Sequence, residues 1–241
     1  MCGRFVLDRR TTDLLTLFDV DIEGTNLPEP SWNIAPTQPI AVIIDTIPRS
    51  GDLDEPVRRL ESARWGLVPG FAKEISGPPL FNARSETIFE KPAFASAVVR
   101  RRAVVPASGY YEWRVVDDAK IPTFISLQGD ELLLFAGIYE WWKNPAAAPG
   151  SPEQWVLSAS ILTRPSAGPL QPIHDRMPVF LDQDVVEEWL DPHSEGTEEL
   201  LALVVDAAEG VAERAVFHEV GAAVGSVQNN SLELVAPVAA S

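Results

Sequence analysis

Cysteine is nearly absent from this chain, since Cys2 is the only thiol among 241 residues. A single cysteine excludes an internal disulfide, and it excludes a zinc site built from several thiolates. We expect the protein to use neither a metal nor a cofactor. The question that remains is why the one thiol stands beside the initiator methionine.

Long hydrophobic runs are also missing. No apolar stretch approaches the roughly 20 residues that cross a bilayer. Charged side chains at Asp8, Arg9, Arg10 and Asp13 interrupt the N-terminus before an apolar region of the kind found in a signal peptide. We therefore expect a cytoplasmic protein that does not associate with membranes.

Basic residues are scarce in the second half of the chain. The formal net charge is −16, which taken alone disfavours a partner made of phosphates. Residues 1–120 hold 15 Lys and Arg against 17 Asp and Glu, whereas residues 121–241 hold 4 against 18. A basic surface formed by the first half is therefore compatible with the overall charge, and the acidic half favours solubility.

The apolar pattern predicts a single α+β domain around a mostly antiparallel sheet or barrel. We predict strands at 40–44, 102–114, 122–127, 132–142, 155–164 and 215–220, and helices at 11–20, within 84–101, at 185–190 and at 197–210. Residues 28–39 have the composition of a Pro-rich loop, 49–59 of a polar turn, 62–73 of a strand followed by a loop, and 231–241 of a frayed tail.

Cys2 is the first candidate for chemistry. A small side chain at position 2 favours removal of Met1, which would leave Cys2 with a free α-amine next to its thiol. The two groups have ordinary pKa values of about 8 and about 8.5, so both are partly nucleophilic near neutral pH. Such an aminothiol attacks an acyl carbon, or it condenses with an aldehyde and closes a thiazolidine ring. A small buried cysteine near a terminus is the alternative interpretation.

Two further segments hold groups suited to proton transfer. In IHDRMP (173–178), His174 precedes Asp175 and Arg176, and histidine acts as an acid or base near neutral pH. In GYYEW (109–113), Glu112 stands among aromatic side chains, a setting that tends to raise the pKa of a carboxyl group. A glutamate at a strand edge that points into water is the alternative for Glu112.

FNARSET (81–87) supplies Asn82 and Arg84. The amide of an asparagine can hold a carbonyl or a hydroxyl group, and an arginine can bind a phosphate. The stretch is uninformative when it is taken alone.

Taken together, these segments resemble one family. The segments are MCGRF (1–5), WNIAPTQ (32–38), RWGLVP (64–69), FNARSET (81–87), VPASGYYEW (105–113), FAGIYEWW (135–142) and IHDRMPV (173–179). Their order is similar to that of the SRAP family, the SOS response-associated peptidases, whose members are also called abasic site processing proteins. The resemblance spans about residues 2–190.

The resemblance implies one compact α+β domain over residues 1–241, with a mostly antiparallel β-barrel-like core, a few peripheral helices and a groove for single-stranded DNA. Members of the family form a thiazolidine between the processed N-terminal cysteine and the ring-opened aldehyde of an abasic site. This cross-link shields the damaged strand from cleavage. Lyase and autopeptidase (hydrolase) activities are also implied, as is a monomer in the cytoplasm that associates with the bacterial nucleoid when bound to DNA.

The resemblance also implies roles for individual residues. Cys2 would be the covalent nucleophile, and Asn82 would hold the N-terminal group or the sugar. Glu112 would assist ring opening, and His174 would act on the sugar hydroxyl and in reversal of the cross-link. The implied DNA contacts are Asn33, Arg84 and Arg176.

Trp65 and Phe71 are candidate platforms on which bases of a single strand stack. Core packing is the alternative for both residues. Phe71 stands where a tryptophan is common in the family.

Two other functions are compatible with the same residues. Cys2 can attack an amide as a cysteine-type peptidase, including the bond to its own Met1. The chain can also bind single-stranded DNA without covalent chemistry.

Overall fold

The computed structural model describes residues 2–48, 55–129 and 131–238. The strands are β1 (Phe5–Leu7), β2 (Ile22–Glu23), β3 (Ser31–Ile34), β4 (Pro39–Thr46), β5 (Val57–Trp65), β6 (Asn82–Arg84), β7 (Arg102–Ala107), β8 (Gly109–Val116), β9 (Ala119–Ser126), β10 (Leu133–Lys143), β11 (Trp155–Pro165), β12 (Arg176–Pro178) and β13 (Val216–Glu219). The α-helices are α1 (Thr11–Leu17), α2 (Pro92–Arg100), α3 (Gln183–Leu190) and α4 (Glu198–Glu213). Over these described ranges, no helix is long and apolar enough to span a membrane.

Five of the strands close into a barrel. β4 pairs antiparallel with β5 and with β7, where Ile43 lies opposite Val104. β7 continues through β10 to β11, and both of these pairings are antiparallel. β11 then pairs in parallel with β5, with Ala159 opposite Trp65, and this pairing closes the ring. The α+β class and the mostly antiparallel, barrel-like core are therefore confirmed.

A second sheet in the order β13–β9–β8–β1–β3 carries the N-terminal strand. β1 lies between β8 and β3, so that Phe5 stands opposite both Tyr110 and Ile34. The ring of Phe5 meets the edge of Trp65 at 5.0 Å between ring centroids. This aromatic contact joins the start of the chain to the barrel core and so restricts the position of the residues that precede β1.

Two helices differ in length from their sequence predictions. The first helix ends at Leu17 and not at residue 20, because Asp19 adopts a left-handed backbone with φ of 49°. α4 continues past Gly210 to Glu213, since its buried side extends to Val211 and Ala212. A glycine inside a helix is tolerated where the packing of an apolar face outweighs its low propensity.

Three other predictions need correction or lie outside the described residues. The segment 28–39 is not all loop, because it contains β3 and the start of β4. The tail is ordered as far as residue 238, and Leu234 packs at 5% exposure in a short 3₁₀ turn. Residues 49–54 of the predicted turn and residues 239–241 of the tail lie outside the described ranges.

Candidate active site

Cys2 is fully buried at the entrance to β1. Burial raises the pKa of its thiol well above the ordinary value, and the nearby Glu112 carboxylate raises it further. The backbone N–H of Arg4 hydrogen-bonds the sulfur and acts in the opposite direction. The thiol is therefore held in its neutral form, with a proton donor and a carboxyl group beside it.

Asn82 reaches the N-terminal segment from β6. This strand runs parallel to β11, with Asn82 opposite Ile161. The Nδ2 atom of Asn82 donates to the carbonyl oxygen of Cys2 at 2.7 Å. Within the described part of the chain, no donor reaches the buried Oδ1 atom of the same amide. Asn82 thus fixes the main chain of Cys2 and keeps an acceptor available next to it.

Glu112 lies on β8 opposite Thr123 and is 3% exposed. The alternative of a strand-edge glutamate in water is therefore wrong. Burial raises the pKa of its carboxyl group, while the nearby His174 opposes that rise. A carboxyl group with a raised pKa keeps its proton to higher pH than an exposed glutamate does, and it can act as an acid or a base.

His174 stands just before β12 and is partly exposed. Its Nδ1 atom lies 2.7 Å from Oδ1 of Asp175 and 3.0 Å from the backbone nitrogen of Arg176, which donates to it. A neutral ring that accepts at Nδ1 carries its proton on Nε2. The fold brings His174, Glu112, Asn82 and Cys2 together from four separate stretches of the chain.

The predicted stacking residues have opposite positions. Phe71 is 70% exposed on the loop between β5 and β6, and Trp142 holds this loop by donating from Nε1 to the carbonyl of Ala72 at 2.7 Å. Trp65 is fully buried and donates from Nε1 to the carbonyl of Phe81. The prediction that Trp65 stacks on a base is wrong for this structure, because its ring belongs to the barrel core.

Among the predicted phosphate contacts, Arg84 is exposed, and no carboxylate of the described residues forms a salt bridge with it. Arg176 differs, because its guanidinium donates to both carboxylate oxygens of Glu86 at 2.7 and 2.8 Å and to the carbonyl of Thr163 at 2.8 Å. This pairing lowers the pKa of Glu86 to about 2. In this arrangement Arg176 ties β12 to Glu86 and is not open to a phosphate.

Asn33 is also committed to contacts within the protein. It is 2% exposed, its Oδ1 atom accepts from Arg4, and its Nδ2 atom donates to the carbonyls of Ser226 and Asn229. In this structure Asn33 is therefore not exposed for the DNA contact that the resemblance implies. Its surroundings are protein atoms of the C-terminal segment.

Sequence reasoning missed Arg4. Its Nη1 atom donates to Oδ1 of Asn33 at 2.6 Å and to the carbonyl of Val224 at 2.7 Å. Its guanidinium also lies over the ring of Trp113 at 5.8 Å, and partial burial lowers its pKa. The only available signal was a cation in the otherwise uncharged opening segment MCGRF.

The fold and the site together define an α+β barrel protein centred on a cysteine that directly follows the initiator methionine. The family model described as SOS response associated peptidase (SRAP) matches residues 1–227. The chain belongs to this family, as the order of its motifs predicts.

Named relatives support the assignment to this family. "Abasic site processing protein YoqW" of Bacillus subtilis (strain 168) is 37% identical over 243 residues, which cover 98% of this chain and 99% of the relative. "Abasic site processing protein HMCES" of Rattus norvegicus is 32% identical over 240 residues, which cover 86% of this chain and 65% of the relative. The rat protein is therefore considerably longer than the region it shares with this chain.

Solved structures share the fold at lower identity. A crystal structure of a protein from Bacteroides thetaiotaomicron has a TM-score of 0.76 at 20% identity and covers 99% of this chain and 100% of its own. One from Bordetella bronchiseptica has a TM-score of 0.68 at 22% identity and covers 91% of this chain and 100% of its own. At these identities the likeness concerns the fold alone.

Proposed function

We propose that the protein caps abasic sites in single-stranded DNA through a thiazolidine at Cys2, after Met1 has been removed. The observation that carries this proposal is the burial of Cys2 against Asn82 and Glu112, in a family whose named relatives process abasic sites. Met1 lies outside the described residues, so its removal is part of the proposal. We further propose that the protein acts as a monomer in the cytoplasm and joins the nucleoid on binding DNA.

The reaction balances without an oxidant or a metal. The α-amine of Cys2 attacks the aldehyde carbon of the opened sugar, and one water leaves as the C=N bond forms. The thiol sulfur then adds to the imine carbon, and the thiol proton ends on the nitrogen. An imine alone promotes β-elimination and strand cleavage, whereas the closed ring removes the C=N bond that drives it.

Glu112 is suited to two proton transfers in this sequence. An abasic deoxyribose is mostly a closed hemiacetal, and a protonated carboxyl group can donate to the ring oxygen as the ring opens. The raised pKa of Glu112 favours the protonated form that this step requires. Once ionised, the same carboxylate can accept the proton of the thiol beside it.

Asn82 and His174 would orient the reacting groups. The Nδ2 contact of Asn82 with the carbonyl of Cys2 fixes the residue that carries both nucleophiles. The Oδ1 atom of Asn82 can accept a hydrogen bond from the α-amine or from a sugar hydroxyl. His174, with its proton on Nε2 in the neutral form described above, would act on the sugar hydroxyl and in reversal.

The DNA would approach over the side that presents Arg84 and Phe71. Arg84 is exposed and can bind a phosphate next to the lesion, while the exposed ring of Phe71 can stack on a neighbouring base. Because the overall charge is −16, we expect weak and salt-sensitive binding to undamaged strands.

The test uses the processed protein and an oligonucleotide with one abasic site. We expect an adduct that survives denaturing electrophoresis and whose mass equals protein plus DNA minus one water. A matched oligonucleotide with a tetrahydrofuran analogue lacks the aldehyde and should give none. Cys2→Ser keeps the amine but removes the thiol, so it should give only an imine that requires borohydride for trapping. A stable adduct formed equally well by Cys2→Ser would refute the proposal.

A second candidate function is removal of Met1 by the protein itself, which the peptidase description of the family favours. Here a water activated by Glu112 would attack the carbonyl of Met1, or the sulfur of Cys2 would attack it first and form a thioester that water then hydrolyses. In either case the Met1–Cys2 amide bond breaks, free methionine leaves, and the α-amine of Cys2 takes up the proton. Expression in cells that lack methionine aminopeptidase activity tests this. Intact mass should show loss of Met1 in the unaltered chain and its retention in Glu112→Gln, and retention in both would exclude self-cleavage.

A further inference from the structure

A segment from the far end of the sequence lies against the N-terminal site. We call residues 224–229 the C-terminal strap. The carbonyl of Val224 accepts from Nη1 of Arg4 at 2.7 Å, and the carbonyls of Ser226 and Asn229 accept from Nδ2 of Asn33 at 2.9 and 2.7 Å. Three main-chain acceptors of the strap thus face two side chains near Cys2.

Asn33 is the centre of this arrangement. Its Oδ1 atom accepts from Arg4 at 2.6 Å while its Nδ2 atom holds the strap, so both ends of one amide are used. The residue is 2% exposed, which means that water cannot replace these contacts. Buried polar groups are costly unless they are hydrogen-bonded, so Arg4 and the strap both depend on Asn33.

Arg4 transmits this constraint to the reacting group. Arg4 lies two residues after Cys2 and directly before β1, so its position limits where Cys2 can lie. Its carbonyl accepts from the backbone of Tyr111 at 2.9 Å, directly before Glu112. The hydroxyl of Tyr111 donates to the carbonyl of Trp32 at 2.9 Å, directly before Asn33. The main chain of Arg4 is therefore held in two ways, through the contacts of its own side chain and through its hydrogen bond to β8.

The strap itself is well anchored. Val224 is fully buried in a small apolar cluster with Val6 and Tyr111, outside the main core. The side chain of Asn229 donates to the carbonyl of Ala223 at 2.7 Å, which ties the last residue of the strap to the residue directly before the strap. Because the strap is held in place, its carbonyl groups in turn hold the side chains of Asn33 and Arg4 in place.

We propose that Asn33 is a positioning residue that, with the C-terminal strap, sets the place of Arg4 and through it the place of the Cys2 thiol. Among the described residues, the side-chain amide of Asn33 hydrogen-bonds Arg4 and the strap, so we infer that it acts through Arg4. The predicted effect of Asn33 on the rate of adduct formation rests on the proposed cross-linking function. The predicted effect of Asn33 on the structure around Arg4 can be measured without DNA.

Amide hydrogen exchange of the free protein tests the structural part. In Asn33→Ala we expect the amides of residues 3–6 to exchange about tenfold faster, as for loss of one hydrogen bond. Val204→Ala is the matched control, because Val204 is fully buried in α4 far along the chain and its loss lowers stability without touching the strap. Equal protection of residues 3–6 in Asn33→Ala and Val204→Ala would overturn the inference, whatever the protein does to DNA.

Single-turnover adduct formation tests the kinetic part. We expect the limiting rate of Asn33→Ala at saturating abasic DNA to fall about tenfold, while the half-saturating DNA concentration changes less than about threefold. Asn33→Asp keeps an acceptor for Arg4 and should recover part of the rate.

The possible outcomes separate the two proposals. No adduct with the unaltered protein refutes the proposed function but leaves the exchange result to decide on Asn33. An adduct rate that is unchanged in Asn33→Ala, or a change only in DNA affinity, overturns the positioning role. If Asn33→Ala does not fold, Asn33→Asp and Arg4→Lys carry the same comparison. The loss is expected to be larger for Arg4→Lys, because lysine lacks the planar guanidinium whose Nη1 atom donates to both Asn33 and Val224.

Discussion

Asn82 offers the sharpest prediction about the site. Its Nδ2 atom donates to the carbonyl of Cys2 at 2.7 Å, and its Oδ1 atom is an acceptor that no donor in the described part of the chain reaches. Asn82→Ala removes both groups, whereas Asn82→Asp keeps the shape and the acceptor and loses only the donor. The pair of variants therefore separates positioning of Cys2 from acceptance of a hydrogen bond.

The size of the effect follows from one partly buried hydrogen bond. A net loss of about 1–1.5 kcal/mol corresponds to about a tenfold lower rate if the contact is needed in the transition state. Asn82→Ala should therefore lower the limiting rate of adduct formation about tenfold. Asn82→Asp should lower it more at pH 8, about a hundredfold, because a carboxylate would face the carbonyl of Cys2 and the nearby Glu112.

The pH dependence distinguishes the two variants. As the pH falls, the new carboxyl group in Asn82→Asp becomes protonated and can again donate to the carbonyl of Cys2. Its rate relative to Asn82→Ala should therefore rise from pH 8 towards pH 5.5. The measurement is single-turnover adduct formation at saturating abasic DNA, with melting temperatures to establish that each variant is folded.

Two results would refute this reasoning. If Asn82→Asp reacts at the unaltered rate at pH 8, the donor is not needed for the reaction. If both variants lose only affinity for DNA, with the limiting rate unchanged, Asn82 contacts the strand and does not position Cys2.

Three further predictions concern Glu112, Glu86 and Phe71. Glu112 has a raised pKa in the fold, so its contribution to stability is full below about pH 4.5 and is lost as the pH rises towards the folded-state value. Glu112→Gln should therefore melt at a higher temperature than the unaltered protein at pH 8, yet it should form the adduct about 10²–10⁴ times more slowly. Glu86 has its pKa lowered to about 2 by Arg176, so the stabilisation lost by Glu86→Gln should be present above about pH 4.5 and vanish as pH falls towards 2, with a size under about 1 kcal/mol because the carboxylate is partly exposed; equal melting curves for both proteins at pH 6 would contradict it. Phe71→Ala should weaken binding to an intact single strand by about 1–3 kcal/mol at unchanged melting temperature, and unchanged binding in a fluorescence titration would exclude stacking on this ring.

Local patterns were sufficient to predict most of the barrel. Runs of β-branched and aromatic residues mark the region of β7 to β11 within a few residues, because these strands are long and bounded by turn residues. The single strand predicted at 102–114 is in fact two strands, β7 and β8, separated at Ser108. Short strands escaped prediction, since three or four residues such as Phe5–Leu7 or Asn82–Arg84 carry no period of their own. Their structure is imposed by the strands on either side.

The site was predictable only in part. Cys2, Asn82, Glu112 and His174 have side chains whose chemistry is apparent in the sequence, and the fold brings them together. Burial of a side chain could not be predicted, because the sequence does not show whether a tryptophan such as Trp65 lies in the core or on the surface. Contacts between Arg4 and Val224, 220 residues apart, leave no local signal at all.

The burial of Cys2 conflicts with direct attack by its thiol, since burial keeps the thiol protonated. The order of the proposed reaction removes the conflict. The amine reacts first, and the imine that it forms is a strong electrophile held on the same residue, so the sulfur needs only to pass its proton, by way of Glu112, to the imine nitrogen as the ring closes. A buried neutral thiol is at the same time poorly reactive towards diffusing oxidants and alkylating agents. The buried environment therefore lowers the reactivity of the thiol towards other reagents, while it still allows attack on an aldehyde carbon that is already joined to the amine of Cys2.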